Sequence, residues 1–129
     1  TMRSRVGAWR DLYSTGGGRA VLAELSPEER DAYLNATPLV AHTPHTRIDK
    51  QVLLALLEAG RLKGYQEEFN ENELGIRCVG APIFNASGIP IGAISVAAPS
   101  YRIDDARADQ IGRATRMTAD TITAALGRK

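Results

Sequence analysis

Cys78 is the only cysteine of the chain, and a lone thiol can serve as nucleophile, metal ligand or pocket wall. Nucleophilic use requires a nearby base or helix N-terminus that lowers its pKa. No histidine stands close to it in sequence, so a buried or pocket-lining thiol is expected. The period of a β-strand, which sends successive side chains to opposite faces, adds to this. Cys78, Gly80 and Pro82 share one face of the segment Ile76–Phe84, and Val79, Ala81 and Ile83 share the other. In the next segment, Ile89–Ala97, Ala93, Ser95 and Ala97 oppose Ile94 and Val96. One face of this hairpin is therefore bulky and apolar, and the other small, with a thiol and a hydroxyl. Two readings of the small face stand: a helix packs close against it, or it floors a cavity for a small, partly polar ligand.

Gly16-Gly17-Gly18, between Thr15 and Arg19, places permissive backbone ahead of a helix-forming run. A helix N-terminus presents unpaired N–H groups and partial positive charge, which suit carboxylates and phosphates. A plain loop is the other reading. A nucleotide site is disfavoured, because neither the G-x-x-x-x-G-K-[ST] pattern nor the dinucleotide glycine spacing is present. His42 and His45 flank Thr43-Pro44, but two ligands without a cysteine or third partner do not make a zinc site, so no metal is expected. Glu67, Glu68, Glu71 and Glu73 form an acidic cluster, and a solvated turn is the expectation for most of them.

These residues need a scaffold that 129 residues can supply as one domain. A net charge of +1 announces no nucleic-acid surface, and there is no helix-turn-helix pattern or aromatic stacking set. No apolar run approaches the roughly 20 residues of a membrane helix. The first residues lack the apolar core of a secretory signal. One cysteine fits a reducing compartment, so a cytoplasmic location is expected. A first strand is expected around Met2–Trp9, followed by a turn at Asp11–Ser14 and a short helix over Arg19–Leu25. Ser26-Pro27-Glu28-Glu29 is a helix start with a serine cap, proline in the first turn and a capping-box glutamate. That helix turns Tyr33 and Leu34 inward and stops before Pro38. Asp49 caps a further helix in which Val52, Leu53, Leu56 and Leu57 mark one buried face, ending at Gly60 or Gly64. Tyr65–Phe69 begins a strand, the hairpin turns at Asn85–Gly88, and a last helix carries the stripe Ile111, Thr115, Thr118, Ile122 and Leu126. The mix of elements without a βαβ rhythm favours an antiparallel α/β (α+β) sheet flanked by helices.

Several short patterns occur together in a fixed order. They are Val6-Gly7; Leu12-Tyr13-Ser14-Thr15; Gly18-Arg19-Ala20-Val21-Leu22-Ala23; Thr43-Pro44-His45-Thr46; Gly64-Tyr65; Glu71, Gly75, Cys78, Gly80, Ala81 and Pro82; and Ala93 through Pro99. With this set, from about Val6 to Gly127, the chain resembles the effector-binding domain of IclR-type bacterial transcription regulators. The resemblance implies a GAF/PAS-like fold over residues 1–129, a small organic acid or related metabolite as effector, a homodimer or homotetramer, and no cofactor. It further implies that DNA is met by an N-terminal winged helix-turn-helix domain, expected to lie outside these residues. Carried over by position, the ligand-contacting residues are Gly16, Gly17, Glu68, Cys78 and Ser95, with Met2 as a further candidate; no catalytic residue is expected. Departures are Asp11 in place of proline, Tyr13 in place of histidine, Arg19 in place of lysine, and Ala97 where some members carry a second serine. The rival expectation is a stand-alone GAF-like interaction or small catalytic module.

Overall fold

The computed structural model describes residues 9–127, so the strand expected around Met2–Trp9 lies outside the described residues but for Trp9. Trp9 opens a 3-10 helix over Trp9–Ser14, where a turn was expected. Thr15 then caps α1 (Gly16–Glu24): its hydroxyl accepts the Gly18 N–H at 3.0 Å and donates to the Asp11 carbonyl at 3.1 Å. The glycines thus form the first turn of α1 instead of a loop before it. Pro27–Ala36 form α2, with the Ser26 hydroxyl accepting from the Glu29 N–H as the capping pattern requires. Lys50–Lys63 form α3 under the Asp49 cap, and Gly64 ends it at φ 104° in the left-handed region.

Three strands follow: β1 (Gln66–Phe69), β2 (Ile76–Phe84) and β3 (Pro90–Pro99). Among the described residues they form one antiparallel sheet in the order β1-β2-β3. The turn joining β2 to β3 is organised by Asn85, whose side-chain oxygen accepts from Ser87 and Ile89, with Gly88 at φ 78°. After a short 3-10 turn at Ser100–Arg102, Asp105–Leu126 form α4, capped by Asp104.

The register places Cys78 opposite Ala97, Gly80 opposite Ser95 and Pro82 opposite Ala93, so the small residues of both arms share one face. That face meets α1, whereas α4 covers the other, where Tyr65, Val79, Ala81 and Ala119 pack with Ile83, Ile94 and Ile111. A second core joins Tyr13, Leu22, Ala23, Leu34, Leu53 and Leu57 between α1, α2 and α3.

Two expected faces differ. Val52 is 47% exposed, because the buried seam of α3 runs through Leu53, Leu57 and Gly60, and Gly60 lets the Gln66 side chain lie directly on the helix. On α4 the buried positions are Ala108, Gly112, Thr115 and Ala119; Thr118 and Leu126 face outward. The small seam lets Tyr65 lie against Gly112, where any Cβ would collide with its ring. Hydrophobic periodicity found Thr115 and the core-packed Ile111, but it weighs large side chains and so passed over Ala108, Gly112 and Ala119.

Candidate functional site

The site is built where the N-terminal turn of α1 crosses the small face of the sheet. A Cβ on Gly80 would stand 2.8 Å from the Gly17 nitrogen and closer still to the Gly16 carbonyl, so helix backbone lies directly on strand backbone. A Cβ on Gly16 would come within 2.7 Å of the Cys78 sulfur. A Cβ on Gly17 would meet the Ser95 Cβ at 3.6 Å and its hydroxyl at 3.7 Å, which is ordinary contact. The helix-packing reading of the small face thus has its physical counterpart at Gly80 and Gly16. The helix covers Gly80, while Ser95 and Ala97 on β3 stay exposed.

Glu68 joins this set from β1. It pairs with Cys78 across the β1–β2 ladder and therefore shares its face. Its carboxylate is buried, at 4% residue exposure, and Oε2 accepts the N–H groups of Glu71 at 2.8 Å and Asn72 at 3.3 Å. Burial holds its pKa above the ordinary glutamate range, against the two amides and then Arg19, which pull it down, while Glu71 pushes it further up. The Cys78 thiol is pushed up to about 11, first by burial and then by Glu68, against the Gly16 and Gly17 amides and Arg19. At neutral pH it is a protonated, buried thiol and a poor nucleophile.

Of the six residues named from the sequence, the structure brings Gly16, Gly17, Cys78, Ser95 and Glu68 to one place. Met2 lies outside the described residues. The acidic cluster is not a solvated turn. Glu71 is 2% exposed, and its carboxylate takes both terminal nitrogens of Arg19, at 2.6 and 3.0 Å, together with the Arg47 guanidinium at 2.8 Å and backbone N–H at 2.9 Å. Arg19, fully buried, also donates to the carbonyls of Tyr13 and Glu67. The reason is positional: Arg19 on α1 cannot be buried without a counter-charge, and the β1–β2 turn supplies it. The Thr-Pro-x-Thr loop serves the same turn, with Thr43 donating to the Asn70 carbonyl at 2.5 Å and Thr46 to the Glu71 carbonyl. The sequence signal for this network was the charge of Arg19 inside an otherwise apolar helix face. His42 pairs with Asp11 at 3.0 Å and stacks on Tyr13, which ties the 3-10 helix before the glycines to the loop after α2.

A groove of about 290 Å³ between α3 and β1 contains none of the six residues. Its cations are already engaged: Arg47 with Glu71, Lys63 with Glu67 at 3.5 Å and Arg77 with Glu67 at 3.3 Å. The turn of α1 differs in offering amides beside a neutral thiol and an exposed hydroxyl, a setting for a small anion.

Comparison with known proteins bears on this arrangement. The family profile described as "Bacterial transcriptional regulator IclR C-terminal" matches residues 1–124. The HTH-type transcriptional repressor AllR of Escherichia coli (strain K12) is 34% identical over 128 residues, which cover 99% of this chain and 47% of the repressor. The crystal structure of the Thermotoga maritima IclR superposes with a TM-score of 0.87 at 33% identity, over 91% of this chain and 47% of that one. The inducer-binding domain of the PobR transcription factor from Acinetobacter, a double mutant in complex with 3-hydroxybenzoic acid, gives a TM-score of 0.79 at 27% identity, over 87% of this chain and 65% of that one. The chain spans about half the length of the curated relatives it matches.

Proposed function

The chain belongs to the IclR family of bacterial transcriptional regulators, which it matches through their C-terminal domain, and from that premise we propose that it senses a small organic acid. The acid is held where the first turn of α1 meets Cys78, Ser95 and Glu68. The observation that carries this reading is the convergence of the Gly16 and Gly17 backbone, the Cys78 thiol and the exposed Ser95 hydroxyl at one helix N-terminus. Helix-terminal amides and a hydroxyl suit a carboxylate and a neighbouring oxygen. The hydroxy acid bound to the similar PobR domain supports the ligand class. In the full regulator the effector alters how a winged helix-turn-helix domain meets DNA, within a cytoplasmic homodimer or homotetramer. It does so only by favouring one arrangement of the subunits over another. No helix among the described residues is long and apolar enough to cross a membrane. The protonated Cys78 thiol supports a binding role over a catalytic one.

Thermal shift against millimolar carboxylic, hydroxy and aromatic acids tests the reading. An acid at a hundredfold over its Kd adds about 2.7 kcal/mol, a rise in Tm on the order of 10 °C for a domain of this size. Ser95→Ala combined with Gly17→Val should abolish the shift in a folded protein, because valine methyls fill the space between Gly17 and β3. An unchanged shift in that double variant would remove the site from this turn.

A further inference from the structure

The glycines that open α1 are held from two sides, and the sheet is only one of them. On the sheet side β2 meets Gly16, where a Cβ would come within 2.7 Å of the Cys78 sulfur. On the other side the 3-10 helix Trp9–Ser14 lies on Gly18, where a Cβ would stand 2.5 Å from the Leu12 Cα and 2.7 Å from its carbonyl oxygen. Gly17, between them, would meet nothing closer than 3.6 Å. Strand pairing fixes the first wall. The second has no ladder, and its Asp11 and Tyr13 side chains tie it to residues 40–47, a segment outside any helix or strand. The Tyr13 hydroxyl donates to the Val40 carbonyl at 2.7 Å and accepts the Val40 N–H at 2.8 Å. His42 Nε2 reaches the Asp11 carboxylate at 3.0 Å, the two side chains being 10% and 21% exposed. Asp11 passes this hold onward. Its carbonyl accepts the Ser14 and Thr15 hydroxyls, and the Thr15 oxygen accepts the Gly18 N–H. At its far end the segment is fastened to the β1–β2 turn: Thr43 and Thr46 donate to the Asn70 and Glu71 carbonyls, and Arg47 donates to the Glu71 carboxylate from backbone and guanidinium.

We propose that residues 40–47 form a strap that positions the first turn of α1, with Asp11 and His42 as positioning residues at its releasable end. The strap joins the two walls of the candidate site. One end sets the glycine turn, and the other sets the β1–β2 turn whose N–H groups hold Glu68. The two ends differ in strength. The far end surrounds the buried Glu71, whereas the near end depends on Tyr13 and on one ion pair that solvent reaches. Without that pair the 3-10 helix is free to lift from Gly18, the Thr15 cap loosens, and Gly17 loses its fixed distance to Ser95. The effect on affinity rests on the ligand-site reading above; the positioning itself is read without a ligand. By reciprocity, a ligand seated on the turn holds the strap in place.

Amide hydrogen exchange of the chain, followed residue by residue with nuclear magnetic resonance, tests the strap. His42→Ala should accelerate exchange of the Gly18 and Arg19 amides, which Thr15 accepts, by about tenfold, the factor set by one lost hydrogen bond to a charged group. The amides of Thr115 and Ala119, buried on α4, should keep their rates. Asp11→Ala should reproduce this pattern. His42→Gln, which keeps a donor near the Nε2 position, should restore the wild-type rates. In isothermal titration the Kd of lactate and of 3-hydroxybenzoate should rise about tenfold in His42→Ala and recover in His42→Gln. Either acid should also slow exchange of the Thr43 and His45 amides within the strap of the wild type. Acceleration spread equally over α1 and α4 would reduce the pair to general stability and overturn the positioning role, as would no acceleration at all. Faster exchange with an unchanged Kd would overturn the coupling between strap and ligand. Absence of binding by both acids, with the exchange pattern as expected, would remove the small-acid reading and leave the strap standing.

Discussion

Replacing Glu71 by glutamine should cost far more stability than its place in a polar turn suggests. The substitution keeps the volume but removes the charge that faces Arg19, which is fully buried and hydrogen-bonds no other carboxylate among the described residues. Arg19 retains the Tyr13 and Glu67 carbonyls, so part of its hydrogen bonding survives. What is lost is the compensation of a buried guanidinium, for which breaking one partner costs about 3–5 kcal/mol. The amide nitrogen of glutamine also points N–H at N–H, so relaxation recovers little. For a domain of this length that loss is a drop in Tm of roughly 10–20 °C. Arg47→Ala is the internal control. Arg47 touches the same carboxylate but is half exposed, so its loss should cost at most about 1 kcal/mol. Urea denaturation followed by far-ultraviolet circular dichroism measures both variants, and an Arg19→Met, Glu71→Leu double-mutant cycle isolates the pair. A Glu71→Gln cost no larger than that of Arg47→Ala would show that the Arg19 charge is solvated, and would refute the account of how α1 is anchored.

Two further outcomes follow from the same geometry. Gly80→Ala should destabilise the fold by about 1–3 kcal/mol or more, since its methyl collides with α1 backbone, whereas Gly17→Ala, meeting only ordinary contacts, should stay within about 1 kcal/mol of the parent; equal midpoints in urea for the two would show that α1 does not rest on β2 as described. Cys78 should resist iodoacetamide at neutral pH in the native chain and react fully in urea, and rapid native labelling would contradict a thiol held at about 11 by burial.

The parts legible in the sequence were those set by local chemistry. Caps at Ser26 and Asp49, the left-handed stop at Gly64 and the Asn85–Gly88 turn act within a few residues, and each element boundary follows from them. The two faces of the hairpin were equally legible, because strand alternation is geometric. What escaped was set at long range. Glu71 reads as one of four turn acids, and only folding brings Arg19, 52 residues away, against it. The glycine triplet reads as a loop because glycine is a poor helix former. Its inclusion in α1 rests on the Thr15 cap and on contact with β2, which a loop reading does not contain. The buried seams of α3 and α4 were legible in part, at Leu53, Leu57 and Thr115, and their glycines escaped for a related reason: Gly60 and Gly112 are buried through close approach, and periodicity weighs side chains, not their absence.

The small face of the sheet therefore answers two demands that composition alone cannot separate. At Gly80 small size is a steric condition of the fold, since helix and strand backbones touch there and any side chain expels α1. One strand further out the condition lapses. Ser95 and Ala97 have room above them and remain exposed, although they belong to the same face. Small side chains at these two positions are what the proposed ligand site would use. The boundary between the two regimes falls at Gly17, whose missing side chain leaves ordinary van der Waals distance to Ser95. Enlarging Gly17 tests the ligand while Gly80 tests the helix, which is why substitutions at these neighbouring glycines should separate loss of binding from loss of folding.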